Sequence, residues 1–207
     1  MNVAILGGTG SFGRALAARL VVLGEDEVVI GSRDAERARA AAAELGAAGG
    51  ATNDDAARGA DLAILAVKAD AALETARATA GALGATPLLS VASALAVARD
   101  GVRPDPDGRS LAERVQDLVE GPVVAGLHSI AAAKLGEAPP DEDALVCGDD
   151  AHAKLLALDL AARVVAGRAL DAGPLASART LEGLTAVIVN LNRRYRAHAG
   201  IRVTGLT

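Results

Sequence analysis

The stretch "NVAILGGTGSFGRALAARL", residues 2–20, decides how the rest of the chain is read. Its first five residues form a short, mainly apolar run, as expected of a strand covered on both faces. A turn of the form G-x-G-x-x-G follows, Gly8-Thr9-Gly10-Ser11-Phe12-Gly13, and opens directly into a helical pattern. The turn alone is a weak signal, but between a strand and a helix it is a strong one for a dinucleotide site. In that reading Gly8 permits the tight turn, Gly10 lets the backbone approach a pyrophosphate, and Gly13 lets the helix pack close to the strand. The amides opening the helix then face the phosphates, where the helix dipole favours negative charge. Thr9 and Ser11 add hydroxyls.

Outward from this unit, short aliphatic runs alternate with helical patterns, the signature of βαβ units around a parallel sheet. The expected strands are 2–6, 27–31, 61–67, 87–91 and 122–126, with a weaker one near 48–52. Asp34 caps a helix over 35–45 and Asp70 one over 71–83. Ser110 and Glu113 form a capping box for a helix that Gly121-Pro122 stops. Near residue 136 the pattern changes to a Pro-rich acidic turn, a short strand, and helices near 150–166 and 174–193. Leu181, Leu184, Ile188 and Leu191 give the last helix an apolar stripe, which suits a core or a dimer face. The expected fold is α/β, a Rossmann-type parallel sheet with a small C-terminal α/β subdomain. Residues 1–136 form the nucleotide-binding domain and 137–207 the subdomain.

The stretch "VVIGSRDAER", residues 28–37, sets the nucleotide preference. NAD sites place an Asp or Glu at the end of the second strand to hold the adenosine ribose, whereas an arginine suits a 2′-phosphate. Here Ser32 and Arg33 stand at that point and Arg37 follows one helical turn later. A guanidinium pairs with a phosphate that a carboxylate would repel. The site therefore reads as specific for NADP(H).

Composition narrows the field. Apolar residues make up 51% of the 207, enough for a substantial core. Aromatics are 1%, Phe12 and Tyr195, and the net charge is -5, which together argue against a nucleic-acid partner. A single cysteine, Cys147, excludes an internal disulfide framework and fits a reducing compartment. Apolar runs are broken by Arg or Asp before membrane-spanning length, and no secretory pattern precedes Gly7. A cytoplasmic protein with no membrane partner is expected.

In open parallel sheets, ligands lie beyond the carboxyl ends of the strands. That crevice receives Val67 and Lys68, then Ser93, then His128, Ser129 and Ile130. No Y-x-x-x-K set, nucleophile elbow or metal-ligand spacing occurs. His128 is a candidate for holding a cofactor ring or serving as an acid or base, with a purely structural role equally open. The segment 99–109, with three arginines, reads as an exposed loop or an anion-binding lid. A nucleotide site without proton machinery fits direct hydride transfer between two bound cofactors.

The segments "AILGGTGSFGRALAARL", "IGSRDAERA", "GLHSIAA", "LVCGDD", "LDAGPL" and "NRRYRAHAGIRVTGL" resemble, in order, the NADPH-dependent reductases of coenzyme F420. The resemblance spans the whole chain. It implies hydride exchange between nicotinamide C4 and deazaflavin C5, a homodimer, and a deazaflavin site at the subdomain interface. It also implies that Thr9 to Phe12 line the pyrophosphate and that Ser32, Arg33 and Arg37 take the 2′-phosphate. Val67, Ala69 and Ser93 would then border the nicotinamide, and His128, Ile130 and Ala132 would approach the two rings. The chain departs from the family form at Lys68-Ala69 and over the loop after Ser93. Three alternatives stay open: another flavin-like acceptor, an imine or β-hydroxyacid substrate, and a non-catalytic NADP-sensing module. The second usually brings a larger helical dimerisation domain than the roughly 70 residues here allow.

Overall fold

A computed structural model describes residues 1–136 and 138–206. Its elements in chain order are β1 (Asn2–Leu6), α1 (Ser11–Leu23), β2 (Glu27–Ser32), α2 (Ala35–Leu45), β3 (Gly49–Thr52), α3 (Asn53–Ala57), β4 (Leu62–Leu65) and α4 (Ala69–Leu83). There follow β5 (Leu88–Ser90), β6 (Leu95–Ala98), β7 (Gly101–Pro104), α5 (Leu111–Gln116), β8 (Val123–Gly126) and α6 (Ala132–Leu135). The chain ends with β9 (Ala144–Gly148), α7 (Ala151–Val164), β10 (Ala169–Asp171) and α8 (Ala178–Tyr195).

The sheet runs β10-β9-β8-β5-β4-β1-β2-β3. From β3 to β8 all neighbours are parallel, in the order of a Rossmann sheet. β9 then joins β8 antiparallel, and β10 pairs parallel with β9. The sheet therefore crosses residue 136 without a break, and the later strands extend it. Alternation along the strands divides the core. Val3 and Ile5 of β1 face α1 and α7 with Leu16, Leu20 and Leu160, while Ala4 and Leu6 face α4, α5 and α8 with Ala76, Leu111 and Leu181. Register aligns the carboxyl ends: Leu6 pairs with Gly31 and Leu65, Leu65 with Ser90, and Ser90 with Ala125.

Several local expectations need correction. α4 starts at Ala69 with Lys68 at its N-cap and no side-chain cap, so Asp70 lies in the first turn. α5 carries the expected capping box but stops at Gln116. That side chain turns outward to donate to the Gly121 carbonyl (3.1 Å) and accept from Val123 N–H (2.7 Å), competing with helical continuation. The segment 99–109 is partly ordered as the β6–β7 hairpin. The amide of Asn190 on α8 brackets Val102, accepting from its N–H and donating to its carbonyl, both at 2.8 Å. Arg103 pairs with Asp100 and Arg109 holds Asp117 with two nitrogens, so two of the three arginines are already neutralised.

The last residues fold back on the sheet through Asp143, whose side chain is almost fully buried. Its carboxylate accepts from Arg168 N–H (2.9 Å), Arg168 Nη2 (2.7 Å) and Val203 N–H (2.8 Å). The Arg168 side chain and these backbone donors hold the carboxyl well below its ordinary value. A lowered carboxyl pKa stabilises the fold above the ordinary value of 3.8, and this is lost as pH falls below it. Asp143→Asn should therefore lower the melting temperature near neutral pH and speed amide exchange at Val203. The difference from wild type should narrow as melting is repeated at pH values approaching 2; a gap that stays constant would deny the ion pair its role.

Candidate functional site

The carboxyl ends of β1, β2 and β4 enclose a cavity of about 850 Å³, open to solvent. Its floor is the turn after β1. Gly7, one residue before the expected motif, carries the left-handed φ of +80°, whereas Gly8 does not. A Cβ on Gly7 would sit 2.4 Å from Val67 Cγ1, so the position excludes a side chain twice over. Gly8 and Gly13 are buried behind the cavity wall and serve the turn and the helix packing. Thr9, Gly10, Ser11 and Phe12 line the cavity.

α1 begins at Gly10 without a side-chain cap. By contrast, Asp34, Thr52, Ser110 and Asp150 each cap their helices through a side-chain oxygen. The leading amides of α1 thus lie at the cavity without a side-chain acceptor. Across the turn, Thr9 Oγ1 donates to Ser32 Oγ (3.4 Å), which itself accepts from Asp34 N–H (3.2 Å). Asp34 is occupied as expected, accepting from the N–H groups of Glu36 (3.0 Å) and Arg37 (3.2 Å).

Arg33 and Arg37 line the same cavity and are exposed. Neighbouring arginines are matched to acids, Arg39 with Glu36 and Arg14 with Glu44, but these two have no carboxylate partner among the described residues. They face the cavity as free cations. The opposite wall comprises Ala66, Val67, Lys68, Asp70, Ala71, Glu74 and Thr75, with Asn53 below. Most of that wall escaped sequence reasoning, because α4 carries no recognisable motif.

The remaining candidates gather at the ends of β5 and β8. Leu127, buried and non-glycine, has φ of +63°, an uncommon backbone state for its type. The turn is held by Leu127 N–H donating to the Leu145 carbonyl (3.3 Å) and Ile130 N–H to the Leu127 carbonyl (3.0 Å). It presents His128 beside Ser129, Leu145, Leu181 and Leu184. Ile130 is buried next in the chain, and Ala132 opens α6. Ala69 opens α4 beside the first cavity but lies outside its lining.

Hydrogen-bond directions fix the His128 tautomer. Thr185 Oγ1 donates to the His128 carbonyl (2.9 Å), so the contact of Ser93 Oγ with Thr185 Oγ1 (2.8 Å) uses the Ser93 proton. Ser93 can then offer His128 Nδ1, 3.4 Å away, only a lone pair. Nδ1 therefore carries the hydrogen, and Nε2 is a buried acceptor with no partner among the described residues. Burial pushes the imidazole pKa down to about 4, against the smaller raising effect of its hydrogen bond to Val91. At neutral pH this ring is uncharged. Thr185, missed in the sequence, sits in a helix with no motif around it.

Comparison with known proteins agrees with this geometry. Residues 2–94 match the family model described as NADP oxidoreductase, coenzyme F420-dependent. The F420-dependent NADP reductase of Methanocaldococcus jannaschii is 36% identical over 100% of this chain and 99% of its own. That of Methanothermobacter marburgensis is 38% identical with the same coverage. A solved structure from Arthrobacter sp. FB24, named as a candidate F420-dependent NADP reductase, superposes with a TM-score of 0.86 at 27% identity, covering 99% of this chain and 100% of its own. With relatives matched end to end at this identity, and the strand-turn-helix unit inside the matched region, the chain belongs to the family of coenzyme F420-dependent NADP oxidoreductases.

Proposed function

We propose that this protein moves a hydride between NADP(H) and coenzyme F420. The observation that carries the reading is the pair of unpaired arginines, Arg33 and Arg37, beside the uncapped start of α1 in one cavity. The donors match an anionic dinucleotide in kind: amides for the pyrophosphate, guanidinium groups and the Ser32 hydroxyl for a 2′-phosphate. Thr9 to Phe12 would hold the pyrophosphate. Val67, Ala69 and Ser93 would border the nicotinamide, and His128, Ile130 and Ala132 would flank the paired rings. The two bound cofactors supply the hydride chemistry between nicotinamide C4 and deazaflavin C5. What the chain contributes is position and the exclusion of water.

A neutral His128 suits that division of labour. Buried and uncharged, it would brace the turn behind the rings without exchanging protons. Residues 1–136 act as the NADP half and the segment from 137 completes the deazaflavin side. The protein works in the cytoplasm as a homodimer. Dimer formation is supported by Val187, Leu191 and Tyr195, spaced four apart and exposed on one face of α8.

The decisive assay mixes protein, NADPH and oxidised F420 and follows deazaflavin absorbance, with free flavins and imines as controls. Absence of F420 turnover in both directions overturns the proposal. NADPH binding without turnover of any acceptor returns the protein to a sensing role. Arg33→Asp should weaken NADPH about 100-fold and shift preference toward NADH; unchanged selectivity would remove Arg33 from the phosphate site. His128→Ala should lower kcat about 10-fold as the turn behind the rings loses its support, with NADPH affinity nearly unchanged. Because the imidazole pKa lies near 4, the wild-type rate should show no His128-dependent step near pH 6.5. A limb at that pH that vanishes in His128→Ala would instead make the residue an acid or base.

A further inference from the structure

One residue of the nucleotide cavity falls outside the glycine motif and the arginine pair. Asn53, the first residue of α3, is buried at 8% exposure yet lines the cavity. Its Oδ1 accepts from Gly7 N–H at 3.1 Å, so it holds the residue whose left-handed backbone makes the turn. The same oxygen reaches the end of β2. A Cβ placed on Gly31 would lie 2.8 Å from it, which leaves glycine as the side-chain-free choice there. One carbonyl oxygen thus lies between the carboxyl ends of the first two strands.

This contact decides which way the amide faces. The group at Gly7 is a donor, so only the oxygen of Asn53 can meet it. Nδ2, with two hydrogens, must project the other way. It makes no hydrogen bond to any described residue, and unlike the orphaned Ser90 Oγ and His128 Nε2 it is not fully shut off from solvent. An unpaired amide nitrogen on a mostly buried residue that lines the cavity with Ser32 and Arg33 calls for an acceptor.

We propose that Asn53 is a nucleotide-contacting residue of this site: Oδ1 sets the glycine turn, and Nδ2 donates to an oxygen on the adenosine half of the dinucleotide. The inference rests on the NADP reading above. The chemistry sought is a neutral or anionic oxygen, from a ribose or from the adjoining phosphate. The position next to Gly31 and Ser32 favours the adenosine side over the nicotinamide side.

The test is Asn53→Asp, nearly isosteric, which keeps an oxygen on Gly7 N–H but replaces the donor with an anion. Dissociation constants for NADPH and for adenosine 2′,5′-bisphosphate should both rise about 10-fold or more. With F420, the KM for NADPH should rise while kcat at saturation stays near wild type. Affinities that stay within about 2-fold of wild type overturn the inference. Loss of NADPH affinity alone, with the bisphosphate unaffected, overturns its assignment to the adenosine half. A second measurement needs no variant. On titration of wild-type protein with the bisphosphate, the Asn53 side-chain amide resonances should shift, and resonances that stay in place overturn the contact. Wild-type protein that fails to bind NADPH would overturn the proposed function itself and this inference with it. Binding that survives in wild type and in Asn53→Asp alike overturns the inference alone.

Discussion

The chain has to leave a buried strand at Leu6 and begin a helix at Ser11, and Gly7 is the residue through which this happens. Its left-handed backbone places a carbonyl and an amide where a side chain would collide with Val67. The carbonyl accepts from Gly10 N–H (2.9 Å) and closes the turn, and the amide is held by Asn53. With those groups satisfied internally, the next amides along α1 remain free. The turn thus uses its own hydrogen bonds in a way that leaves those amides at the cavity.

Charge completes what the backbone starts. The protein is acidic overall, with a net charge of -5, and Asp34, Asp70 and Glu74 line its cavity, yet Arg33 and Arg37 pair with no carboxylate among the described residues. Glu36 pairs with Arg39, Glu44 with Arg14, and Asp34 caps α2. Asp34 lines the cavity next to Arg33. Its Oδ1 accepts from the Glu36 and Arg37 amides of α2, so the carboxylate is bonded to the helix end and makes no ion pair with the guanidinium. The cap thereby leaves Arg33 available as a cation.

How much of this the sequence disclosed follows from how local each signal is. The first strand, glycine turn and arginine pair lie within 36 consecutive residues, Asn2 to Arg37, and could be read directly, because spacing along the chain fixes their geometry. Asp34 and the Ser110–Glu113 box were legible for the same reason. Asn53 and Thr185 were not. Each acts on residues 46 and 57 positions away, Gly7 and His128, and becomes meaningful only once the sheet has brought them together. The early stop of α5 and the hairpin at 95–104 were also hidden. Both depend on side-chain amides, Gln116 and Asn190, that bind backbone groups no local pattern exposes.

The second half of the site owes its form to the strands after residue 136. An isolated turn after β8 would relax Leu127 out of its left-handed state, at a gain of roughly 1–3 kcal/mol. Leu127 N–H is bonded to the carbonyl of Leu145 on β9, and Thr185 on α8 holds the carbonyl of His128. The antiparallel strand and the final helix therefore keep the imidazole in place and buried. That burial pushes the pKa of a residue often used for proton transfer down to about 4. The hydride transfer proposed above needs the distance and angle of two rings held more than it needs a proton.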